Sequence, residues 1–99
     1  MTTSHTRPPA RPTILLDDEL VRVTRWDFDP GAETGHHVHG LGYVVVPMTP
    51  CHFLLEEAAG ERRVSIETGQ AYRRDAGIAH NVINGGDAAM SFIEIEYKR

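Results

Sequence analysis

The sequence predicts an all-β fold of the jelly-roll type, and three observations support this prediction. The chain has 99 residues, which is the length of a single domain. Short runs rich in β-branched and aromatic residues recur about every eight to twelve residues, with Gly, Pro, Asn and Asp between them. No window shows the sustained period of an amphipathic helix. Two packed sheets suit such strands, because they limit the number of exposed edges.

The beginning of the chain differs from the rest in composition. Residues 1–12 contain three prolines and no periodic pattern, so we expect a flexible tail there and a single domain at 13–99. An apolar run at 13–16 opens the domain. The next strand, 20–28, carries apolar residues on both faces, which indicates that both sides are covered. This excess of apolar surface predicts a homodimer.

The later strands follow from the same alternation of apolar runs and turn residues. We predict them at 41–48, 51–57, 62–68, 71–74, 80–83 and 89–97. In the last strand Ile93 and Ile95 lie on one face, and Glu94 and Glu96 lie on the other. We interpret the glutamate face as the solvent side. The alternative is that Glu94 reaches a cavity as a general base.

Composition narrows the range of functions. The formal net charge is −4 at pH 7 and the signs are interspersed, which is unlike a nucleic-acid-binding surface. No apolar run is long enough for a membrane helix, and no secretory signal is visible. The single cysteine, Cys51, cannot form an intramolecular disulfide, and we interpret it as structural. We therefore expect a cytoplasmic protein without nucleic-acid or membrane partners.

Three histidines form a candidate metal site. His37 and His39 are separated by one residue, so on a strand their side chains share a face. His80 follows forty-one residues later, directly after a predicted turn. Three neutral imidazoles bind Zn, Fe, Ni, Cu or Mn and leave positions open for water or substrate. Spacing alone leaves the alternative that His36, His37 and His39 are exposed loop histidines.

The spacing around the histidines resembles the two motifs of the cupin family. The first motif is Gly, five residues, His-x-His and, after three or four residues, Glu; the matching positions here are Gly31, His37, His39 and Tyr43. The second motif is Gly, five residues, Pro-x-Gly, two residues, His, three residues and Asn; the matching positions are Gly69, Asp75, Gly77, His80 and Asn84. The chain is also similar to small cupins connected with β-alanine degradation, in which the glutamate is typically replaced. It departs from them at Leu41 and Gly42, where that group carries an aromatic and an acidic residue.

The resemblance implies a double-stranded β-helix, which is the cupin jelly-roll barrel, with a divalent transition metal (Fe, Zn, Ni or Mn) on His37, His39 and His80. Tyr43 then takes a catalytic or substrate-binding role as a hydrogen-bond donor, or serves as a weak fourth ligand. Its phenol pKa near 10 keeps the proton in place. Arg73, just before the second motif, is a candidate for binding a substrate carboxylate through its guanidinium group.

The resemblance also implies a function. We expect a metal-dependent enzyme acting on a small organic acid, with dioxygenase-type or isomerase/lyase-type chemistry. The alternatives are a non-catalytic binding module, such as a sensor or carrier, and a structural subunit with an empty barrel. A site without a glutamate ligand favours anionic ligands, so we expect a small-molecule carboxylate. An acidic group or tyrosine facing the cavity favours catalysis over simple binding.

Overall fold

The computed structural model describes residues 6–99, which form nine β-strands and no α-helix. The strands are β1 (Arg11–Asp17), β2 (Val21–Phe28), β3 (His37–Val38), β4 (Gly42–Pro47), β5 (Cys51–Glu57), β6 (Gly60–Ile66), β7 (Tyr72–Arg74), β8 (Ala79–Asn84) and β9 (Met90–Tyr97). This confirms the all-β prediction. Among these residues there is no helix able to cross a membrane.

The strands form two antiparallel sheets that pack face to face. One sheet has the order β1-β2-β9-β4-β7 and the other has the order β3-β8-β5-β6. Aromatic residues from both sheets meet between them: the Phe92 ring lies 5.5 Å from the rings of Phe28 and Phe53, measured between centroids. Such contacts make Phe28, Phe53 and Phe92 part of one apolar core.

The first strand begins at Arg11, inside the segment expected to be a tail. Ala10 N–H donates to the carbonyl of Glu33 at 2.7 Å, and Glu33 N–H donates to the carbonyl of Pro8 at 3.0 Å. Pro12 pairs with Trp26 on the edge strand β1, where the missing N–H of proline is tolerated. Residues 1–5 of the expected tail lie outside the described part of the chain.

The last strand has its polar face inside the sandwich. Glu94 is paired with Thr24 on one side and with Val45 on the other, and these three side chains point inward together. Ile95 pairs with Val44 on the outer face of the sheet. Glu94 is 9% exposed, so the prediction of a solvent-facing carboxylate is wrong. Alternation showed which residues share a face, but it did not show which face is inside.

Candidate metal centre

The structure brings the three predicted histidines together. His37 is paired directly with His80 across β3 and β8. His39 lies just past β3, where its N–H donates to the carbonyl of Ile78 at 2.8 Å and its carbonyl accepts from Gly77 N–H at 2.7 Å. Gly77 has a φ of +97°, which a residue with a side chain rarely adopts. The turn that precedes His80 therefore also fixes the backbone of His39.

The imidazoles converge through one nitrogen each. The Nε2 atom of His39 is 2.9 Å from Nε2 of His37 and 3.1 Å from Nε2 of His80. Metal–imidazole bonds of about 2.1 Å at right angles place neighbouring nitrogens about 3.0 Å apart. The three side chains thus fit a divalent transition ion bound to one face of its coordination sphere, and the first-row metals named above suit such donors.

A hydrogen bond sets the tautomer of His37. Its Nδ1 lies 2.8 Å from the Gly35 carbonyl, an acceptor only, so Nδ1 carries the proton and Nε2 keeps its lone pair. Asn81 holds this loop in place, because its amide oxygen accepts from Gly35 N–H at 3.0 Å. The Asn81 amide also donates to Glu33 at 2.7 Å and to Glu56 at 3.0 Å. Such outer contacts orient ligand imidazoles in metal sites.

Burial keeps the other two histidines neutral. It lowers the pKa of His39 to about 4, and the neighbouring His37 lowers it further in the same direction. Burial, followed by His37, likewise lowers the pKa of His80 to about 4. At neutral pH both rings therefore have a lone pair available for a metal. His80 Nδ1 is buried and has no hydrogen-bond partner among residues 6–99.

Tyr43 packs against the histidine cluster through its ring. The Tyr43 and His39 rings are stacked, with centroids 4.0 Å apart and an angle of 24° between the planes. Tyr43 is buried, and burial raises the pKa of its phenol above the ordinary value. The phenol therefore keeps its proton at neutral pH and is available as a hydrogen-bond donor.

A cavity of about 480 Å³ opens next to the histidines between the two sheets. Its lining includes all three histidines and Tyr43, together with two carboxylates from β9, Glu94 and Glu96. Ligand atoms of His39, Glu94 and Glu96 lie within 4.8 Å of one another. The acidic groups are thus beside the histidine cluster, although the usual carboxylate position holds Tyr43.

The two glutamates differ in their surroundings. Arg22 approaches Glu96, with 3.6 Å between the guanidinium nitrogen and the carboxylate oxygen. Burial raises the pKa of Glu94 to about 7, and the negative charge of Glu96 adds to this effect. A hydrogen bond from Trp26 and the charge of Arg22 oppose it. Glu94 therefore titrates near neutral pH in the metal-free site, as expected for a proton-transferring group.

The sequence contained a signal that would have located Glu94. Phe92, Glu94 and Glu96 are two residues apart, so they share a face of β9. Phe92 is a natural core residue, and placing its ring inside places both carboxylates inside as well. The general rule that charged residues face solvent would place Glu94 outside, whereas alternation from Phe92 places it inside. The structure has Glu94 inside.

The arginine that faces inward is Arg74 and not Arg73. Tyr43 pairs with Arg74 and Val44 pairs with Arg73, so Arg73 lies on the outer face together with Val44. Arg73 is exposed and does not line the cavity, so the expectation that its guanidinium group faces the cavity is wrong. Arg74 lies 3.7 Å from Glu57, and its side chain is 25% exposed. The register with β4, which sequence alone leaves open, decides between the two arginines.

Two further positions complete the description. His36 is exposed, whereas His37 is half-buried, which separates His36 from the cluster.

Gly42 leaves room for Tyr97: a Cβ atom at this position would lie 2.6 Å from Cε2 of the Tyr97 ring. This contact explains why glycine, and not a larger residue, precedes Tyr43.

Comparisons with known proteins agree with this fold. No protein-family model matches the chain. The chain is 51% identical over 92 residues to the β-alanine degradation protein BauB of Pseudomonas aeruginosa, a match that covers 93% of this chain and 97% of BauB. It is 47% identical to a cupin domain from Bordetella pertussis of known crystal structure, with a TM-score of 0.93 and coverage of 97% and 100%.

The chain is a small cupin. It belongs with the BauB-type proteins, as the resemblance to small cupins connected with β-alanine degradation indicated. The polyketide cyclase RemF of Streptomyces resistomycificus has the same fold, with a TM-score of 0.72, 16% identity and coverage of 100% of this cupin and 80% of RemF. At that identity the similarity concerns the fold alone.

Proposed function

We propose that this cupin is a metal-dependent enzyme acting on a small organic acid. The observation that carries the proposal is the position of the Glu94 carboxylate, which lines the same cavity as the three histidines. A cavity for binding alone needs apolar walls and a few polar contacts. A buried carboxylate with a pKa of about 7 is costly to maintain, and it is useful where a proton is moved.

Each side chain then has a distinct role. His37, His39 and His80 would hold the metal, which supplies a Lewis acid for substrate oxygens when it is bound. Tyr43 donates a hydrogen bond from a phenol that stays protonated. Glu94 accepts a proton from the substrate and returns it. These roles support isomerase or lyase chemistry over dioxygenase chemistry, because a general base is what enolisation needs.

The description of the relative BauB indicates a class of substrate. BauB is described as a β-alanine degradation protein. We propose from this that the substrate is a short aliphatic acid.

The first experiment measures metal content. The chain is purified without added metal, and its elemental composition is compared with that of a His37→Ala/His80→Ala variant. We expect near-stoichiometric metal in the first and little in the second. His36→Ala, at the exposed neighbour, is the matched control and should keep its metal. Equal metal content in all three proteins would contradict the site.

The second experiment measures turnover. Candidate short acids are incubated with the metal-loaded protein under air and under argon. We expect equal rates, because proton transfer consumes no dioxygen. A reaction that occurs only under air would show dioxygenase chemistry instead. No turnover of any candidate acid by a fully loaded protein would favour the binding module.

We also propose a cytoplasmic homodimer. β1 and the residue before β2 expose Ile14, Leu15, Leu16 and Leu20 by about half or more of their surface. A second copy that covers this surface would account for it, because apolar patches of this kind mark interaction sites. Light scattering at micromolar concentration should give twice the monomer mass, and Leu16→Asp should reduce it. A monomeric parent protein would contradict the proposal.

A further inference from the structure

We propose that Arg7 is a positioning residue for the metal ligand His37, and that it acts by stabilising the hydrogen bonds around Asn81. The segment at 7–10, which carries Arg7, then supports the metal centre from outside. This inference rests on the metal site of the proposed function. It adds a residue that lies outside the lining of the cavity.

The segment at 7–10 is bound to the loop that precedes His37. Glu33 N–H donates to the Pro8 carbonyl at 3.0 Å, and Ala10 N–H donates to the Glu33 carbonyl at 2.7 Å. The Ala10 side chain is buried. These backbone contacts hold the segment against the loop, so the Arg7 guanidinium is delivered to the Glu33 carboxylate by the path of the chain.

The Arg7 guanidinium bridges two carboxylates. One of its nitrogens lies 3.5 Å from a Glu33 oxygen, and the other terminal nitrogen lies 3.8 Å from a Glu56 oxygen. Both carboxylates also accept hydrogen bonds from the same atom, Nδ2 of Asn81, at 2.7 and 3.0 Å. Like charges held this close repel each other. Among residues 6–99, Arg7 is the single arginine or lysine that forms an ion pair with either carboxylate.

Asn81 connects the two carboxylates to His37. Because its amide nitrogen donates to the carboxylates, its oxygen is turned toward Gly35 N–H, which lies 3.0 Å away. The Gly35 carbonyl accepts the proton on Nδ1 of His37 at 2.8 Å, which leaves Nε2 with a lone pair for a metal. Asn81 is buried, so water cannot easily replace a partner that the amide loses.

The role of Arg7 in this arrangement depends on its positive charge. Without it, Glu33 and Glu56 would repel each other with no counter-charge between them. Their side chains are 28% and 38% exposed, so either can turn toward water and leave the Asn81 amide. The amide would then hold Gly35 less firmly. Removing one of the two negative charges should therefore compensate for the loss of Arg7.

The first test measures the Kd for Zn²⁺ by competition with a chromogenic chelator. Arg7→Gln should raise this Kd by about tenfold, which is typical for the loss of an outer partner of a metal ligand. Arg7→Gln/Glu56→Gln should restore the parent value, because the repulsion between the carboxylates is gone. Arg11→Gln is the matched control and should leave the Kd unchanged, since it breaks only the exposed ion pair of Arg11 with Asp29 at 3.2 Å.

The second test measures the tautomer of His37 in metal-free protein at pH 8, from the nitrogen chemical shifts of its imidazole. We expect the proton on Nδ1 in the parent protein and in Arg11→Gln, and a mixture of both tautomers in Arg7→Gln. A parent protein that binds no zinc would refute the metal site, but this measurement would still test the role of Arg7.

Four results would each overturn the role of Arg7. These are an unchanged Kd in Arg7→Gln, an equal rise in Arg11→Gln, no recovery in Arg7→Gln/Glu56→Gln, and an unchanged tautomer of His37 in Arg7→Gln. The last two separate positioning through charge from a general loss of stability, which neither a second substitution at Glu56 nor the tautomer would reflect.

Discussion

Replacing Glu94 by glutamine should stabilise the metal-free protein at pH 8 and have little effect at pH 5. The side chain is nearly unchanged in shape, but it loses a buried charge. The carboxyl pKa is about 7 in the folded protein and 4.5 as the reference value. Between these values the unfolded chain has lost a proton that the folded chain still holds. The contribution of Glu94 to the stability of the parent protein is therefore lost as the pH rises from 4.5 to 7.

The size of the effect follows from the same two values. At ~1.4 kcal/mol for each unit of difference, the penalty from Glu94 reaches about 3 kcal/mol above pH 7. At pH 5 it is below about 1 kcal/mol, because the unfolded carboxyl has only begun to ionise. For a domain of this length, the gain at pH 8 corresponds to an increase in Tm of roughly 10 °C or more.

The assay is urea unfolding with a chelator present, at both pH values, for the parent protein and for Glu94→Gln. Glu61→Gln is the control, and it should change the free energy of unfolding by less than about 0.5 kcal/mol because the carboxylate is exposed. A gain of the same size at pH 5 and pH 8 would refute the reasoning, and so would no gain at pH 8. Either result would mean that the Glu94 carboxylate is well stabilised in the folded state.

Three further predictions follow from the site. Metal-free Glu94→Gln lacks the opposing titration of Glu94 and should lose stability as the pH falls from 6.5 toward 4, by on the order of 3 kcal/mol for each of His39 and His80, because the unfolded chain binds their protons first. A Tm of this variant that is flat from pH 7 to 5 would disagree. Tyr43→Phe should keep its metal by elemental analysis, because the phenol is not an anionic ligand. Its kcat should fall by about 10²-fold in the turnover assay, because a proton or hydrogen-bond donor is lost. Loss of metal would show that Tyr43 is a ligand. Gly42→Ala should lower the free energy of unfolding in urea by about 1–3 kcal/mol, because its Cβ would collide with the Tyr97 ring. An unchanged urea midpoint would mean that the Tyr97 ring moves aside freely.

Local patterns were sufficient to predict most of the fold. The strand predicted at 51–57 has the observed bounds of β5, and the last strand, predicted from residue 89, begins at Met90. Each is an apolar run closed by turn residues, which is a property of the chain itself. The start of β1 could not be predicted in this way, because Ala10 is held by a hydrogen bond to the distant Glu33.

The predicted and the missed parts of the site differ in what fixes them. The histidine cluster could be predicted because two motifs with characteristic spacing contain all three ligands. Arg73 and Glu94 were misplaced because their faces depend on pairing with other strands. The register of β7 on β4 turns Arg74 inward, and the packing of Phe92 turns Glu94 inward. The neighbouring residues of Arg73 do not fix its face, whereas the nearby Phe92 would have fixed the face of Glu94.

The inward-facing glutamates of β9 have a consequence for folding. A slip of one residue would move Ile93 and Ile95 into the sandwich and release both glutamates to water. The same slip would move the core residues Met90 and Phe92 out to solvent. The side chains of β9 therefore favour different registers, which makes this strand a locally frustrated element. Its register is held by neighbours on both sides, since β9 pairs along its whole length with β2 and over six residues with β4. Glu94 and Glu96 therefore face the cavity because pairing with β2 and β4 fixes the register of β9.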